Sequence, residues 1–492
     1  MRIIILITFF MYVLASSITF AQGNIKPEWY KQELSPISNG QSEAWGIEAD
    51  SSGVYWAVST ETKSGDALDM LCSKFDANGN ALWSKPTFIG GAGIQHCYVI
   101  RASEDAVYFG GRECPLFITT CDMLLVKVNK KSGEVVWKKT LDQAGGYDEL
   151  DGLEIRGNLI YTGGWANTSS EVYDTDAGFW KLDTTGVTIW KNHWGISKVA
   201  EHQDGHFVVD NSAIYACGIH KGTSIANLYE GKAFLGKFSL TDGSLMDSVT
   251  FGSSGFWLNW ENAWGMTSDG EFLYVTGVST PTAGDNQVFV AKFDKNLKQQ
   301  WIHYWGGSGT ESARAISTVN GQVIVGGMTN STQYATGGAY DMLVLRFDTA
   351  GNFLGYNTFG DSKDNEIRDL AIYNNALYLS GTSGDNLFSG NVKNQTAFLL
   401  KTSIQDITGI HENVNSYPEN QSCYVSNGFL HFDMERVGGF HMQIYDCMGR
   451  IAASIDKDFL PEGKQTIPIP VQNLSAGMYF FRFQGKTYYI VI

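Results

Sequence analysis

Charged side chains are scarce in this chain of 492 residues, and basic ones are the scarcer kind. Lysine and arginine number 35 against 51 aspartates and glutamates, which gives a formal net charge of −16, and charged residues make up only 17% of the chain. Nucleic acids and anionic membrane surfaces are bound through clusters of basic residues. The composition therefore disfavours both as partners.

Motifs of the common catalytic classes are also missing. The sequence contains no G-x-S-x-G, no H-E-x-x-H and no phosphate-binding loop, and its cysteines and histidines show no zinc-ligand spacing. No catalytic residue can be named from motifs, and no cofactor is expected apart from the calcium ion considered below.

Only one stretch, residues 3–20, is long and apolar enough to enter a membrane. It follows Arg2, and small residues come after it, with Thr19 and Ala21 at the −3 and −1 positions of a cleavage site before Gln22. This is the form of a secretory signal peptide, which we assign to residues 1–21. An uncleaved membrane anchor is the alternative. We expect an exported mature chain without a membrane span.

Glycine and aromatic residues are abundant by contrast, and they belong to a repeat. An apolar strand, a basic residue, an apolar–Asp–x–x–Gly turn and a tryptophan recur along the chain. The basic residues of the seven copies are spaced by 53 to 56 positions, and they are Lys74, Lys127, Lys181, Lys237, Lys292, Arg346 and Lys401.

A second motif, Tyr-x-x-Gly, precedes the basic residue in most copies. Clear examples are Tyr108/Gly111 and Tyr274/Gly277, whereas Tyr55/Val58 and Val323/Gly326 are divergent copies. Each repeat therefore holds about four short strands, which is the content of one propeller blade. The sequence predicts an all-β fold with a seven-bladed β-propeller over residues 22–403.

The seventh repeat ends before its tryptophan strand, at TAFLLKTS (396–403). An unmatched strand of the right kind, PEWYKQEL (27–34), stands near the start of the mature chain. We predict that the strand around Trp29 completes the blade that contains Lys401, because closing the ring in this way removes exposed sheet edges.

The amino-acid sequence of the repeats resembles that of a known family. The segment GGSGTESARAI…VIVGGMTNS…GGAYDMLVLRFDTAGN (306–352) is similar to the SBBP-type β-propeller repeats of bacterial secreted proteins. The resemblance extends over residues 40–403. It implies the propeller fold but no particular activity, since propellers host many.

After Ser403 the repeat stops. Residues 404–420 are polar and predict a linker, and residues 421–492 alternate in the manner of a small antiparallel β-sandwich. Three features of the tail resemble the C-terminal sorting domain of type IX secretion cargo in Bacteroidetes: Ile444-Tyr445-Asp446-x-x-Gly449-Arg450, Leu474-x-x-Gly477-x-Tyr479, and Lys486 before the last strand. The resemblance implies the type IX secretion machinery as a partner and a secreted or outer-surface location.

The seven cysteines fall into three groups. Cys114 and Cys121 flank a hairpin loop of the second blade and predict a disulfide, which an exported protein can keep. Cys423 and Cys447 lie on strands of the tail and could pair. The remaining three are predicted to be buried free thiols, because they occupy apolar strand positions: Cys72, Cys97 and Cys217.

A position that varies between blades while keeping its place in the repeat is free to serve a function. Counted back from the repeat glycine, the residues twelve and thirteen positions earlier vary in this way and open the innermost strand. They predict a ligand site at one mouth of the central channel, formed by Trp45, Tyr98, Asp151, His206, Trp264, Arg314, Arg368 and Asp369. Aromatic faces with a few charges suit a glycan or a peptide, whereas simple plugging of the channel is the alternative.

Blade five adds a second candidate surface. Its insertion, GSSGFWLNWENAWG (252–265), brings Trp257 and Trp260 close to Trp264. If exposed, these side chains form an apolar binding platform. The alternative is that the loop folds over the blade edge and buries them.

Fifteen positions before the repeat glycine lies a set of mostly polar acceptors: Glu43, His96, Glu149, Gln203, Asn262, Glu311 and Glu366. A ring of carboxylates could hold Ca²⁺, which takes oxygen ligands. Recurrence in blade after blade favours hydrogen bonds within or between blades instead.

Three functions follow from these observations. The preferred one is a secreted or cell-surface propeller that binds a glycan or a protein. The second is a lyase or glycosidase at the channel mouth, with a base among Tyr98, His96 and His206 and a uronate held by Arg314 or Arg368. The third is an architectural protein of the envelope.

Overall fold

The computed structural model describes residues 27–404 and 423–491 apart from short internal stretches. Those outside the description are 64–66, 92, 116–119, 144, 168–174, 196–200, 222–230, 253–260, 283–284, 333, 336–339, 361–362, 385–393, 427–428, 435–437, 447–450, 461–462, 469–477 and 484–485. The predicted signal peptide lies outside as well. Every helix or strand within the described residues is a β-strand, so the all-β prediction is confirmed. The same residues contain no helix able to span a bilayer.

Seven antiparallel sheets form seven blades, and six of these consist wholly of consecutive strands. Blade 1 contains β2 (Ser42–Asp50), β3 (Gly53–Lys63), β4 (Ala67–Phe75) and β5 (Thr87–Ile89). Blade 2 contains β6 (Ile94–Ala102), β7 (Ala106–Cys114), β8 (Asp122–Asn129) and β9 (Val135–Leu141). Blade 3 contains β10 (Glu149–Arg156), β11 (Leu159–Asn167), β12 (Thr175–Asp183) and β13 (Thr188–Trp194).

Blade 4 has an innermost strand in two pieces. It contains β14 (Glu201–Gln203), β15 (Val208–Val209), β16 (Ile214–Lys221), β17 (Gly231–Phe238) and β18 (Leu245–Phe251). Blade 5 contains β19 (Asn262–Ser268), β20 (Phe272–Thr282), β21 (Asp285–Asp294) and β22 (Gln299–Trp305). Blade 6 contains β23 (Glu311–Val319), β24 (Gln322–Thr329), β25 (Asp341–Asp348) and β26 (Phe353–Phe359).

Blade 7 joins the two ends of the propeller. Three of its strands are consecutive: β27 (Asp364–Tyr373), β28 (Ala376–Gly384) and β29 (Thr396–Ser403). Its outer strand is β1 (Trp29–Leu34), which pairs antiparallel with β29 so that Trp29 lies opposite Lys401. The predicted closure and the seven blades are therefore confirmed.

The recurring basic residue and tryptophan tie each blade to the next one along the chain. In blade 2, Lys127 lies opposite Tyr108, with its Nζ 5.5 Å from the ring centroid. The Lys127 ammonium donates to the backbone carbonyl of Thr184 at 3.1 Å, and Trp137 Nε1 donates to the same carbonyl at 3.3 Å. Thr184 lies in the outer hairpin turn of blade 3. We call this arrangement the lysine–tryptophan clamp.

The same clamp recurs around the ring, and the closing strand takes part in it. Trp29 Nε1 and Lys401 Nζ both donate to the carbonyl of Ala77, each at 3.0 Å, although Trp29 comes from the other end of the propeller. The further pairs are Lys74 with Trp83 on Lys130, Lys181 with Trp190 on Leu240, and Lys292 with Trp301 on Thr349.

The junction between blades 6 and 7 departs from this pattern for a topological reason. The outer strand of blade 7 is β1, so no hairpin turn follows β29 to present a carbonyl. Blade 6 accordingly has Arg346 in place of lysine and Gly355 opposite it in place of tryptophan. Arg346 also lies opposite Ile324, so the repeat positions of blade 6 are Ile324 and Gly327, one residue later than the predicted Val323 and Gly326.

The tail forms two antiparallel sheets, as predicted. One contains β30 (Cys423–Ser426), β31 (Phe429–Met434) and β34 (Gly463–Pro468), and the other contains β32 (Gly438–Asp446), β33 (Ile451–Leu460), β35 (Met478–Phe483) and β36 (Lys486–Val491). Ile444 and Phe481 face each other across β32 and β35 and are buried.

The structure contains the predicted disulfide between Cys114 and Cys121. Cys72, Cys97 and Cys217 are buried and free, as expected, and burial raises the pKa of each thiol. Cys447 lies outside the described residues, so its pairing with Cys423 stays a prediction.

The clamp at the closing strand can be tested by the substitution Trp29→Ala. We expect it to lower the free energy of unfolding by about 2–3 kcal/mol, because a half-buried indole and its hydrogen bond are removed. Chemical denaturation measures this, and Trp301→Ala is the matched control within an ordinary blade. Near-equal losses are expected. A loss for Trp301→Ala alone would show that β1 does not close the ring.

Candidate functional site

The innermost strand of each regular blade carries one extra residue near its start. In blade 1 the pairing of β2 with β3 shifts between Ala44 and Gly46, which leaves Trp45 unpaired as a β-bulge. Bulges re-aim a side chain, and here they turn it towards the axis of the ring. The corresponding residues in the other blades are Tyr98, Asp151, Trp264, Arg314 and Arg368.

In blades 1, 3 and 5 the residue after the bulge is glycine, because the next blade lies against it. A Cβ at Gly152 would be 2.2 Å from the Phe207 ring of blade 4, and a Cβ at Gly265 would be 2.3 Å from the Arg314 carbonyl of blade 6. These glycines permit the inner strands to approach each other, and the adjacent bulge residues then meet around one space.

That space is a cavity of about 470 Å³ at the mouth where the inner strands begin. Its wall includes all six bulge residues and, from blade 4, Asp204 and His206, which lie between β14 and β15. Seven of the sequence-predicted residues are thereby brought together: Trp45, Tyr98, Asp151, His206, Trp264, Arg314 and Arg368. Trp257 and Trp260 lie outside the described residues, so the predicted platform stays a prediction.

A chain of ion pairs runs through four blades at this mouth. Arg368 of blade 7 contacts Glu43 of blade 1 through Nη1 and Glu366 of its own strand through Nε, the latter at 3.0 Å. The second oxygen of Glu366 accepts from Arg314 Nε of blade 6 at 3.2 Å. At the other end of the chain, His96 Nε2 of blade 2 lies 3.8 Å from Glu43.

The two tryptophans of the mouth are covered by arginines. The Arg368 guanidinium lies 3.9 Å from the ring centroid of Trp45, and that of Arg314 lies 4.0 Å from the ring centroid of Trp264. Trp45 Nε1 donates to Glu43 at 2.9 Å. Each of the two indoles therefore has a cation over one of its faces.

The other half of the mouth is held by different contacts. Arg112 of blade 2 pairs with Glu149 of blade 3, which also accepts from Tyr147 at 2.6 Å. Asp204 of blade 4 accepts from Trp165 Nε1 of blade 3 and from Asn262 Nδ2 of blade 5. Together with the cation–π contact between blades 5 and 6, every one of the seven junctions has a side-chain tie at this mouth.

Sequence reasoning missed Arg112, Trp165 and Asp204. The first two follow directly after the repeat glycines Gly111 and Gly164, on the second strand of their blades, and lie opposite His96 and Glu149. Variation between blades at the position after the glycine was the signal that could have found them.

The ties alter the acidity of the groups that form them. Burial raises the pKa of Glu43, but Arg368 and His96 more than offset this and hold it well below its usual range. Burial lowers the pKa of His96, with Glu43 opposing, so this ring is neutral at pH 7. Burial also raises the pKa of the Tyr98 phenol well above its ordinary value.

Asp151 differs from its neighbours because its carboxyl group is not fully used. Its Oδ2 is buried and has no hydrogen-bond partner among the described residues. Burial raises the pKa of Asp151 well above its usual value, and Glu149 and Asp204 raise it further, while Arg112 and Arg314 act in the opposite direction.

The predicted ring of carboxylates serves the blade junctions. Glu43, Glu149 and Glu366 each contact an arginine of a neighbouring blade. Glu311 belongs to the adjacent position of the repeat and accepts from Thr329 Oγ1 at 2.6 Å within its own blade. Among the described residues, the one group of three or more acidic side chains close enough to share a metal ion lies elsewhere, at Asp122, Asp142 and Asp148.

Asp369 is not part of the mouth, contrary to the sequence prediction. It is 3% exposed, and its Oδ2 accepts the backbone N–H of Ile47 at 3.0 Å, which ties blade 7 to blade 1. It borders a second cavity of about 350 Å³ further along the channel, where Arg101 lies between Glu48 and Glu154. Burial raises the pKa of Asp369 and of Glu48 to about 7, and Arg101 opposes both shifts.

Comparison with known proteins identifies the tail. Residues 418–491 match the family model of the secretion system C-terminal sorting domain. The tail is therefore a type IX sorting domain, and the protein is one that this system delivers to the outer surface or the medium. The match covers the tail alone, so the resemblance of the repeats to SBBP-type propellers stays a prediction.

Two of the solved structures similar to the chain are described as β-propeller domains. The WD40 β-propeller domain of Doa1 is 12% identical, with 75% of this chain and 97% of that one covered at a TM-score of 0.42. The β-propeller domain of the trilobed protease from Pyrococcus furiosus is 9% identical, with 75% and 96% covered at 0.43. Quinohemoprotein alcohol dehydrogenase from Comamonas testosteroni is 11% identical, with 82% and 79% covered at 0.47. Similarity this low carries no information about activity.

No curated protein matched the chain in a sequence comparison.

The ion-pair chain predicts a pH-dependent defect for Arg368→Ala. Removing Arg368 leaves Glu43 and Glu366 buried without their shared cation, which we expect to cost about 3–5 kcal/mol of unfolding free energy at pH 8. The defect should shrink at pH 5, because burial raises the pKa of Glu43 once Arg368 no longer opposes it, and this carboxyl group then takes up a proton more readily. In the wild type the lowered pKa of Glu43 means that its contribution is complete above the ordinary pKa of glutamate and is lost progressively as the pH falls below it.

Urea denaturation at both pH values measures this effect. The control is Arg156→Ala, which removes an arginine that donates to the Val209 carbonyl. Its defect should be nearly the same at pH 5 and pH 8. A pH-independent defect for Arg368→Ala would contradict the account.

The sorting domain predicts the fate of a truncated chain. Deleting the residues beyond about 412 should leave the propeller folded in the periplasm, because few contacts are expected to cross a linker. Fractionation with protease accessibility measures this. Normal surface delivery of the truncated chain would show that the tail is not the export signal.

Proposed function

We propose that this protein is an exported binding module whose propeller holds a glycan or a protein segment at the channel mouth. The observation that supports it most is the cavity of about 470 Å³, to which six of the seven blades contribute their bulge residue, which is an indole, a phenol, a carboxyl group or a guanidinium at the same repeat position. Residues that only had to pack would have no reason to differ so strongly in charge from blade to blade.

The cavity also has the composition of a binding site. Ligand pockets combine apolar and aromatic walls with a few convergent polar groups. Most polar groups here are engaged in blade ties, which keeps them rigid, whereas Asp151 retains an unpartnered oxygen. Arg314 is the more exposed of the two arginines over the tryptophans, with 29% of its side chain accessible against 9% for Arg368.

An enzyme acting on polysaccharide is the second candidate, and one observation favours it. Asp151, with a raised pKa, lies near the ionisable Glu149, which is the kind of pair that glycosidases use as acid and base. For a lyase, His96 is the better base, because it is neutral, whereas the raised pKa of Tyr98 keeps its phenol protonated.

An architectural role is the third candidate, and the ties at all seven junctions favour it. A purely structural mouth needs each of these contacts but needs no ligand. A purely structural mouth has no role for Asp151, and burying a carboxyl oxygen without a hydrogen-bond partner is costly. Asp151 therefore separates the binding and structural interpretations.

The test is a glycan array and a peptide library probed with the full mature chain and with Asp151→Asn. We expect Asp151→Asn to weaken binding of the selected ligand by about tenfold or more, since a hydrogen bond to an ionisable group is worth about 1.5–3 kcal/mol. The matched control is Asp105→Asn, which removes the same charge from an exposed turn.

Product analysis on the same samples separates binder from enzyme. New reducing ends or unsaturated uronates with the wild type, and not with Asp151→Asn, would establish the catalytic alternative. Equal binding by wild type and Asp151→Asn would place any ligand site away from the channel mouth.

A further inference from the structure

The two sides of the mouth are not balanced in charge. On the side of blades 6 and 7, Arg314 and Arg368 face two carboxylates, Glu43 and Glu366, in direct contact. On the side of blades 3 and 4, three carboxyl groups come together: Glu149, Asp151 and Asp204. The cations that act on Asp151 are Arg112 and Arg314. Each of them is already paired, Arg112 with Glu149 and Arg314 with Glu366.

Four buried atoms of this wall have no hydrogen-bond partner among the described residues: Asp151 Oδ2, His96 Nδ1, Asn262 Oδ1 and the donor Arg112 Nε. His96 is only 4% exposed. The His96 ring is neutral and points Nε2 at the Glu43 carboxylate, so the proton belongs on Nε2 and Nδ1 offers a lone pair. Buried acceptors of this kind call for a donor.

An ammonium group supplies what this wall lacks. It carries one positive charge and three N–H donors, and it can approach a carboxylate and an imidazole nitrogen together. A neutral hydroxyl group could satisfy one acceptor, but it would leave the cluster of carboxyl groups without a counter-charge.

The covered tryptophans indicate which kind of molecule bears the amine. Sugars bind proteins largely through open aromatic faces, and Trp45 and Trp264 have an arginine over one face at about 4 Å. An amino sugar therefore loses its usual platform here. A lysine side chain needs no such platform, because its narrow aliphatic stem only has to carry the charged end into the cavity.

Resting on the proposed binding function, we propose that the ligand is a protein segment that enters the mouth through a lysine side chain, whose ammonium group binds Asp151. Arg314, the more exposed arginine of the mouth, lies on the side of blades 6 and 7, where it favours an acidic residue next to that lysine.

The pH dependence follows from the groups that face Asp151. These are Glu149 on its own strand, Asp204 from blade 4, Arg112 and Tyr98 from blade 2, and Arg314 from blade 6. A cation prefers ionised Asp151, and the raised pKa means that the ionised fraction grows over a higher pH range than it does for an ordinary aspartate. Affinity for an amine should therefore rise with pH until the lysine itself begins to lose its proton.

The experiment uses a capped acidic tripeptide with a central lysine, and its twin acetylated on the lysine Nε, as titrants of the mature full chain. Calorimetry or NMR should show binding of the first peptide and at least tenfold weaker binding of the second. Asp151→Asn should cause the same loss for the first peptide, whereas Asp105→Asn should not. The acetylated twin keeps the test valid even if Asp151→Asn perturbs the fold.

Every other outcome refutes either the proposed lysine ligand or the proposed binding function. Equal binding of both peptides would refute the proposal that the ligand binds through an amine. The same conclusion would follow if neither peptide bound while the array yielded a neutral ligand that needs Asp151. Both outcomes would leave the proposed binding function intact. A glucosamine trimer that binds through Asp151 when the lysine peptide does not would assign the amine to a sugar. An array and library without any ligand would refute the proposed function itself.

Discussion

At six of the seven junctions, one backbone carbonyl in an outer hairpin turn accepts from the lysine of the preceding blade, and the ring depends on this contact. At five of them a tryptophan Nε1 donates to the same carbonyl from the neighbouring strand, as Trp137 joins Lys127 on Thr184. The charged donor makes the hydrogen bond stronger than a neutral one. The same contact buries the aliphatic part of the lysine side chain and the tyrosine ring next to it. Because Trp29 and Lys401 repeat this contact on Ala77, the first and last strands of the propeller are held like any other neighbours.

A fixed periphery leaves the centre free to vary. The bulge places one residue of each regular blade at the channel mouth, and its chemistry changes from indole to carboxylate to guanidinium without changing the backbone. Most of these side chains then tie neighbouring blades together, so the mouth is rigid as well as diverse. Rigid polar walls bind ligands with little loss of entropy. Asp151 is the acidic residue of the mouth that keeps a buried oxygen without a hydrogen-bond partner among the described residues.

The blade count and the closing strand were predictable because both depend on periodic spacing, which a sequence shows directly. Most of the mouth was predictable because the bulge residue keeps a constant distance from the repeat glycine. Asp204 was missed because the inner strand of blade 4 has a different offset from its repeat glycine. Gln203 pairs with Gly218, which is fifteen positions later in the chain, whereas Cys97 of blade 2 pairs with Gly111, fourteen positions later. Asp369 was misplaced because its role depends on a hydrogen bond to Ile47, more than 300 residues away. The covering of Trp45 by Arg368 depends in the same way on which blades become neighbours.

The central claim is that Asp151 is held at the mouth as a carboxyl group in need of a cation. The most direct measurement is the titration of its side-chain carbon by NMR in protein labelled at aspartate, with Asp151→Asn to assign the signal. The account predicts a midpoint clearly above the ordinary range for aspartate, and a downward shift when a lysine peptide is bound. A midpoint near 4 that no amine alters would contradict it.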